Sequence, residues 1–283
     1  LLLKNKDYRV QIIYSQIDRN PKNEAVFTDY TLNHNPAQYF YPASTVKMPV
    51  AFLALQKLNQ LKIHGLSRNT TMISEAGYSG QTAVYNDPQS PDGRPTIGNY
   101  IKKVFMVSDN DAYNRLYEFL GQAYINNTLQ KMGYDSVQIV HRLEIALTED
   151  ENRSTNPVKF YDTLGNIIYQ QPLIRSQLPY QPRQTFLGKG YYSRGKLVEQ
   201  PFDFSKKNRI ILADLHSILK SVLFPEMMPA GKRFNLSADD YSFLYKYMST
   251  FPAESSFPQY DSSYNDAYVK FLGLGAKDAI PST

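Results

Sequence analysis

A chain of 283 residues, 42% hydrophobic and 20% charged, has the make-up of a globular protein with a substantial core, as one large domain or two lobes. The net charge of +5 is scattered, and the densest basic run, Lys206-Lys207 with Arg209, is too short for a phosphate stripe, so nucleic-acid binding is not expected. The absence of cysteine excludes disulfides, thiol catalysis and thiolate metal sites, the four histidines (His34, His64, His141, His216) are isolated, and no apolar run reaches the ~18 residues of a membrane span.

The chain begins Leu1-Leu2-Leu3-Lys4 without a methionine, so its true start and any signal segment are expected to lie outside it. Residues 7–17 read as a strand, because Tyr8, Val10, Ile12 and Tyr14 alternate with Arg9, Gln11, Ile13 and Ser15. Residues 18–23 form a turn cluster, and 25–30 the returning strand. A helix is predicted over about 45–60. Pro49 comes late for a first-turn proline, so this helix starts at Thr45 or bends there.

A mostly helical stretch then runs to about Met248. Its clearer helices are predicted at 109–120, 122–132, 208–223 and 238–248, the last opened by Ser237 and Asp240 in a capping-box arrangement. Residues 160–204 are rich in Tyr, Gln and Pro, and 187–198 suggest a short hairpin. This segment reads as a surface elaboration, or as a wall or lid beside a substrate cleft. The 23 tyrosines and the lack of tryptophan point to no function.

Two short motifs carry chemistry. Ser44-Thr45-Val46-Lys47 sets a hydroxyl and an amine three residues apart, one turn apart on a helix face and within reach of a shared proton. A serine attacks a carbonyl only with a base nearby, and a lysine serves when its charge is destabilised. Ser108-Asp109-Asn110 supplies a second hydroxyl and an amide.

The Ser-x-x-Lys spacing also occurs at Ser193/Lys196 and Ser217/Lys220. The first of these lies in a Gly-rich turn, and the second is mid-helix and reads as surface. Only Ser44 follows a turn-like Tyr41-Pro42-Ala43 and opens an apolar helix, where free N–H groups and the helix dipole favour developing negative charge. Taken singly, each residue has an ordinary alternative. Ser108–Asn110 are good helix-capping residue types, Lys47 a solvated lysine, and Glu144 one surface carboxylate among Glu149, Asp150 and Glu151.

In order and approximate spacing these motifs resemble the penicillin-recognising serine hydrolases, and within them the class A β-lactamases. A third stretch strengthens the resemblance. Arg142-Leu143-Glu144 through Leu147-Thr148, then Thr155-Asn156-Pro157, is similar to the family's Ω-loop. The resemblance covers about residues 7–250. It implies an α+β fold of the β-lactamase/transpeptidase type, a mostly helical lobe plus an antiparallel sheet flanked by helices, with the sheet incomplete in this chain.

By resemblance, residues 1–43 supply N-terminal strands of the α/β lobe. Residues 44–250 form a largely helical lobe with the motifs and an insertion at 160–204, and 251–283 return toward further strands. Ser44 would be the nucleophile, Lys47 its proton partner, Ser108 a relay to the leaving nitrogen and Glu144 the holder of the deacylating water. Asn110 would bind the substrate amide. Whether Lys47 or Glu144 is the base for acylation stays open.

The resemblance implies a serine hydrolase acting on a β-lactam or related amide through an acyl-enzyme. It also implies a secreted or periplasmic location and no metal or organic cofactor. The alternatives are a D-alanyl-D-alanine peptidase or esterase-like penicillin-binding enzyme, and a non-catalytic binding or sensor domain on the same fold.

Three departures stand out. Thr148 occupies an Ω-loop position where the family has Asn, which weakens the hold on a deacylating water. Ser154 stands where an Asp would pair with Arg142, leaving Arg142 to use Asp150 or the loop looser. No Lys-Thr-Gly-type third motif occurs, and Gly275–Asp278 is no substitute. The sequence is therefore expected to be an incomplete record of a longer protein, catalytically poor by itself.

Overall fold

The computed structural model describes residues 8–266, 268 and 269, in a mixed α+β architecture. The expected strand start at Asp7 and the stretch Gly275–Asp278 lie outside these residues, and the expected return segment is described only as far as 269. The described residues fall into two compact units. One takes in the chain up to Val46, Asn126–Val140 and Leu178–Arg233. The other takes in Lys47–Ile125, His141–Gln177 and the described residues from Phe234 onward. Among the described residues no helix is long and apolar enough to cross a membrane.

In the first unit, β1 (Ile12–Arg19) and β2 (Ala25–Leu32) form an antiparallel hairpin with Ile12 opposite Leu32 and Arg19 opposite Ala25. Its turn is held by Asn20, whose Oδ1 accepts from the backbone N–H groups of Lys22 and Glu24 at 2.9 Å each. One hairpin face meets α6 (Leu212–Leu223). Phe27 packs edge-on against Phe224 at 5.0 Å, and Ser15 Oγ lies 2.8 Å from His216 Nε2. Lys220 sits 4.0 Å from the Phe27 ring centroid. Ser217 and Lys220 are thus half-buried packing positions rather than plain surface.

Helix α6 begins four residues later than the predicted 208. Arg209 exchanges both backbone hydrogen bonds with Gln138, and the buried Asn208 accepts from Val140 N–H through its side chain. Those tertiary bonds hold 208–209 extended. The hairpin expected within 187–198 is present as β9 (Tyr191–Ser193) and β10 (Lys196–Val198), closed by Arg194 and Gly195, both at positive φ. Ser193 and Lys196 face each other across that turn. Two further short strands, β8 (Phe186–Leu187) and β11 (Phe202–Asp203), pair beside them.

The second unit is built round α1 (Lys47–Leu61), where six consecutive residues, Val50–Leu55, are all buried. A helix apolar on every side belongs in a core. A 3₁₀ turn, Ala43–Val46, leads into it, so the helix starts at Lys47 and Pro49 is its third residue. There the missing N–H costs nothing, because first-turn donors have no intrahelical acceptor.

Against α1 pack α2 (Ile97–Val107) and α3 (Asn110–Leu120), and α7 (Ala238–Ser249) packs on α2. Ser237 and Asp240 form the expected capping box. α4 (Gln122–Lys131) follows α3 across Gly121, whose φ of 76° suits a residue without a side chain. An antiparallel sheet of β3 (Thr71–Ser74), β5 (Val158–Tyr161) and β6 (Ile167–Gln171) closes this core, with Phe160 edge-on to Phe119 at 5.4 Å.

Candidate active site

The junction between α2 and α3 does most to shape the site. α2 ends with Ser108 in the left-handed conformation (φ 59°, ψ 39°), its N–H bonded to Val104 O and that of Asp109 to Lys103 O. Such a reversal normally uses glycine. A serine held there is a strained residue, of a kind that clusters at functional sites. Within Ser108–Asn110 only Asp109 takes the capping role, accepting from Ala112 N–H at 2.8 Å to open α3. The side chains of Ser108 and Asn110 are thereby free for another partner.

That partner is Lys47, 3% exposed at the first position of α1. Its Nζ donates to Ser108 O, to Ser108 Oγ at 2.9 Å and to Asn110 Oδ1 at 2.6 Å. All of these are acceptors suited to the protons of an ammonium. Burial nevertheless pulls Lys47 from its usual 10.5 down to about 8, while the carboxylates of Asp109 and Glu144 oppose that fall. The other end of the Asn110 amide continues the chain, Nδ2 donating to Glu144 Oε2 at 2.6 Å. Lys47, Ser108, Asn110 and Glu144 therefore form one hydrogen-bonded series. Ser44 sits in the turn Ala43–Val46, exposed, three residues before Lys47 in the chain.

Glu144 is presented by a loop running from His141 into the short helix α5 (Glu149–Arg153). Glu144 itself is exposed and has φ 60°. The cause lies one residue back, where Asn114 of α3 grips Leu143. Its Nδ2 donates to Leu143 O at 3.0 Å and its Oδ1 accepts from Leu143 N–H at 2.9 Å, both bonds buried. Tyr113 and Tyr117 add hydroxyl bonds to His141 O and Asn152 O. Asn152 closes the loop on itself, accepting from Arg142 N–H at 2.9 Å and donating to Leu147 O and Thr148 O.

One expectation about this loop needs correction. Arg142 does not take Asp150 as its carboxylate. Its Nε donates to Glu118 Oε1 of α3 at 3.1 Å, and both groups are buried. Asp150 is taken by Arg175 instead. The Thr148 hydroxyl is engaged within the loop. It donates to Glu151 Oε2 at 2.7 Å and accepts from Glu151 N–H at 3.2 Å, in a capping box that starts α5. Sequence reasoning missed Asn114 and Glu118. The signal available was their placement four and eight residues after Asn110, polar side chains on the buried side of a predicted helix.

A family model described as the beta-lactamase enzyme family matches residues 5–178. Among solved structures, a variant of the last common ancestor of Gram-negative bacteria class A β-lactamase is 13% identical, covering 89% of this chain and 68% of that one, with a TM-score of 0.46. The β-lactamase from Sphaerobacter thermophilus is 19% identical over 52% of each chain, with a TM-score of 0.33. The chromosome-encoded β-lactamase of Vibrio parahaemolyticus is 15% identical, over 47% of this chain and 48% of that one, with a TM-score of 0.31. This chain spans about half the length of the last two. No curated protein matches it. The family model extends over more than half of the sequence and includes the Ser44, Ser108 and Glu144 segments, and the chain belongs to the β-lactamase enzyme family.

Proposed function

We propose that this chain is a serine hydrolase that acylates Ser44 with a β-lactam or related amide and then hydrolyses the acyl-enzyme. The observation that carries this reading is the buried Lys47, lowered to about 8 and bonded to both Ser108 Oγ and Asn110, with Glu144 at the far end of the same series. A lysine in that state gives up its proton near neutral pH and then accepts one from a serine hydroxyl. The Ser44 oxygen attacks the amide carbonyl, its proton passing to Lys47. The C–N bond breaks, and Ser108 delivers a proton from Lys47 to the departing nitrogen. Asn110 holds the substrate amide. Glu144 takes a proton from water as that water attacks the ester, and Ser44 leaves with a proton returned.

A second reading is favoured by a specific contact. The Thr148 hydroxyl proton is committed to Glu151, so it donates none to a water beside Glu144. Slow deacylation is the property of a D-alanyl-D-alanine peptidase-like penicillin-binding enzyme. Intact mass spectrometry with benzylpenicillin separates the two. Transient adduct that vanishes with turnover, and that accumulates in Glu144→Ala, supports the hydrolase. Long-lived adduct unchanged by Glu144→Ala supports the peptidase. No adduct on Ser44 with β-lactams or a fluorophosphonate overturns both and leaves a binding domain.

A further inference from the structure

The α3 face that carries Asn110 and Asn114 ends one turn further on at Glu118, which is 2% exposed. Its two oxygens serve two guanidiniums, Arg115 Nη1 at 2.9 Å and Arg142 Nε at 3.1 Å. Arg115 has other partners in Asp111 at 2.9 Å and Thr82. Arg142, among the described residues, has no carboxylate but Glu118. Its remaining N–H groups reach the far end of the loop, at Glu151 O (3.2 Å), Ser154 O (3.0 Å) and Asn156 Oδ1 (3.5 Å). The guanidinium also lies 5.4 Å from the Tyr117 ring centroid. One side chain thus gathers both ends of the Glu144 loop, and Glu118 ties that side chain to the helix bearing Asn110.

We propose that Glu118 is a positioning residue that sets the Glu144 loop against α3, so that consecutive residues Arg142, Leu143 and Glu144 engage Glu118, Asn114 and Asn110 in turn. The inference rests on the hydrolase reading for its catalytic consequence, though not for its geometry. Without the Glu118 charge, the buried Arg142 guanidinium is left uncompensated and faces that of Arg115. Arg115 keeps Asp111, so Arg142 is the one that withdraws, and the loop start moves with it. A displacement of about 1 Å at a reacting group costs on the order of 100-fold in rate. Because Glu144 acts only on the acyl-enzyme in this reading, the loss falls on deacylation and spares adduct formation.

The test compares the full chain with Glu118→Gln and with the double variant Glu118→Gln/Arg142→Met, which removes the stranded buried charge and restores the fold if the single variant is unstable. Two quantities are followed by mass spectrometry with benzylpenicillin: the rate of Ser44 adduct formation and the rate of its loss. In both variants loss of adduct is expected to slow about tenfold or more, with formation within about threefold of the parent. A double variant that recovers parental stability and also parental adduct loss overturns the proposal, because Glu118 then serves stability alone.

If the parent forms no adduct, the hydrolase reading fails, and the positioning claim is decided by amide hydrogen exchange. Exchange across 142–156 should speed up about tenfold in the variants relative to α1, and unchanged exchange overturns it.

Discussion

Replacing Asn114 by Ala removes two buried hydrogen bonds at once, those of 3.0 and 2.9 Å to the carbonyl and N–H of Leu143. Both Leu143 groups are then stranded, since Leu143 is itself buried and water reaches it poorly. A buried polar group left unsatisfied costs about 1–3 kcal/mol. With some loop relaxation the expected loss is about 2–4 kcal/mol, a melting temperature lower by roughly 5–15 °C for a chain of this size. Urea unfolding followed by far-UV circular dichroism measures it.

Asn114→Asp sharpens the argument. Its carboxylate still accepts from the Leu143 N–H but meets the Leu143 carbonyl with like charge. Protonation restores a donor, so the folded state binds the proton more tightly than the unfolded one. Stability of Asn114→Asp relative to Asn114→Ala should therefore rise as pH falls from 7 toward 4. Asn114→Ala within 1 kcal/mol of the parent would refute the claim that this amide holds the loop.

Two further outcomes follow from Lys47, which is buried, and Lys57, which is half-buried. If neutral Lys47 is the base that acylation needs, the rate of Ser44 adduct formation should climb with pH and reach half its plateau near 8, the value to which burial lowers the amine. Stopped-flow acylation that is flat between about pH 6 and 9 excludes that role. Lys57, one face further along α1, donates to Phe119 O and to Gln171 Oε1 at 2.7 Å, and burial pulls it also to about 8. The unfolded chain holds that proton up to about 10.4, so between the two values the folded state binds fewer protons and gains stability as pH rises. The stability of the parent relative to Lys57→Met should grow by about 2 kcal/mol between pH 8 and 10, as read by denaturant unfolding at each pH. A difference independent of pH would show that Lys57 is not held in the low-dielectric core.

Much of the fold was legible in residue patterns, and the legible parts share a property: their determinants are local. The β1–β2 hairpin follows from alternation round an Asn-Pro turn, α1 from an apolar run, and the start of α7 from Ser237 and Asp240 three residues apart. Where tertiary bonds outweighed local preference, the pattern misled. Asn208 and Arg209 have the composition of a helix start, yet their backbone and side-chain groups are committed to Gln138 and Val140, and α6 waits until Leu212. Helix α2 was not singled out at all, although its Thr96 cap lies in the sequence. β3 and β5 are short, and they pair across some eighty residues that no periodicity links.

The same division runs through the site. Hydroxyl, amine, amide and carboxylate types at Ser44, Lys47, Ser108, Asn110 and Glu144 are readable in order along the chain, because the proposed chemistry would require those types. That Asp109 is the residue of its triplet that caps α3, and that Arg142 turns to Glu118, are decided by which groups folding buries together. A buried charge must find its partner within a few ångströms in space, whatever the distance in sequence. Local spacing therefore names the candidate groups, and three-dimensional packing alone decides which neighbours they meet and the loop that carries Glu144.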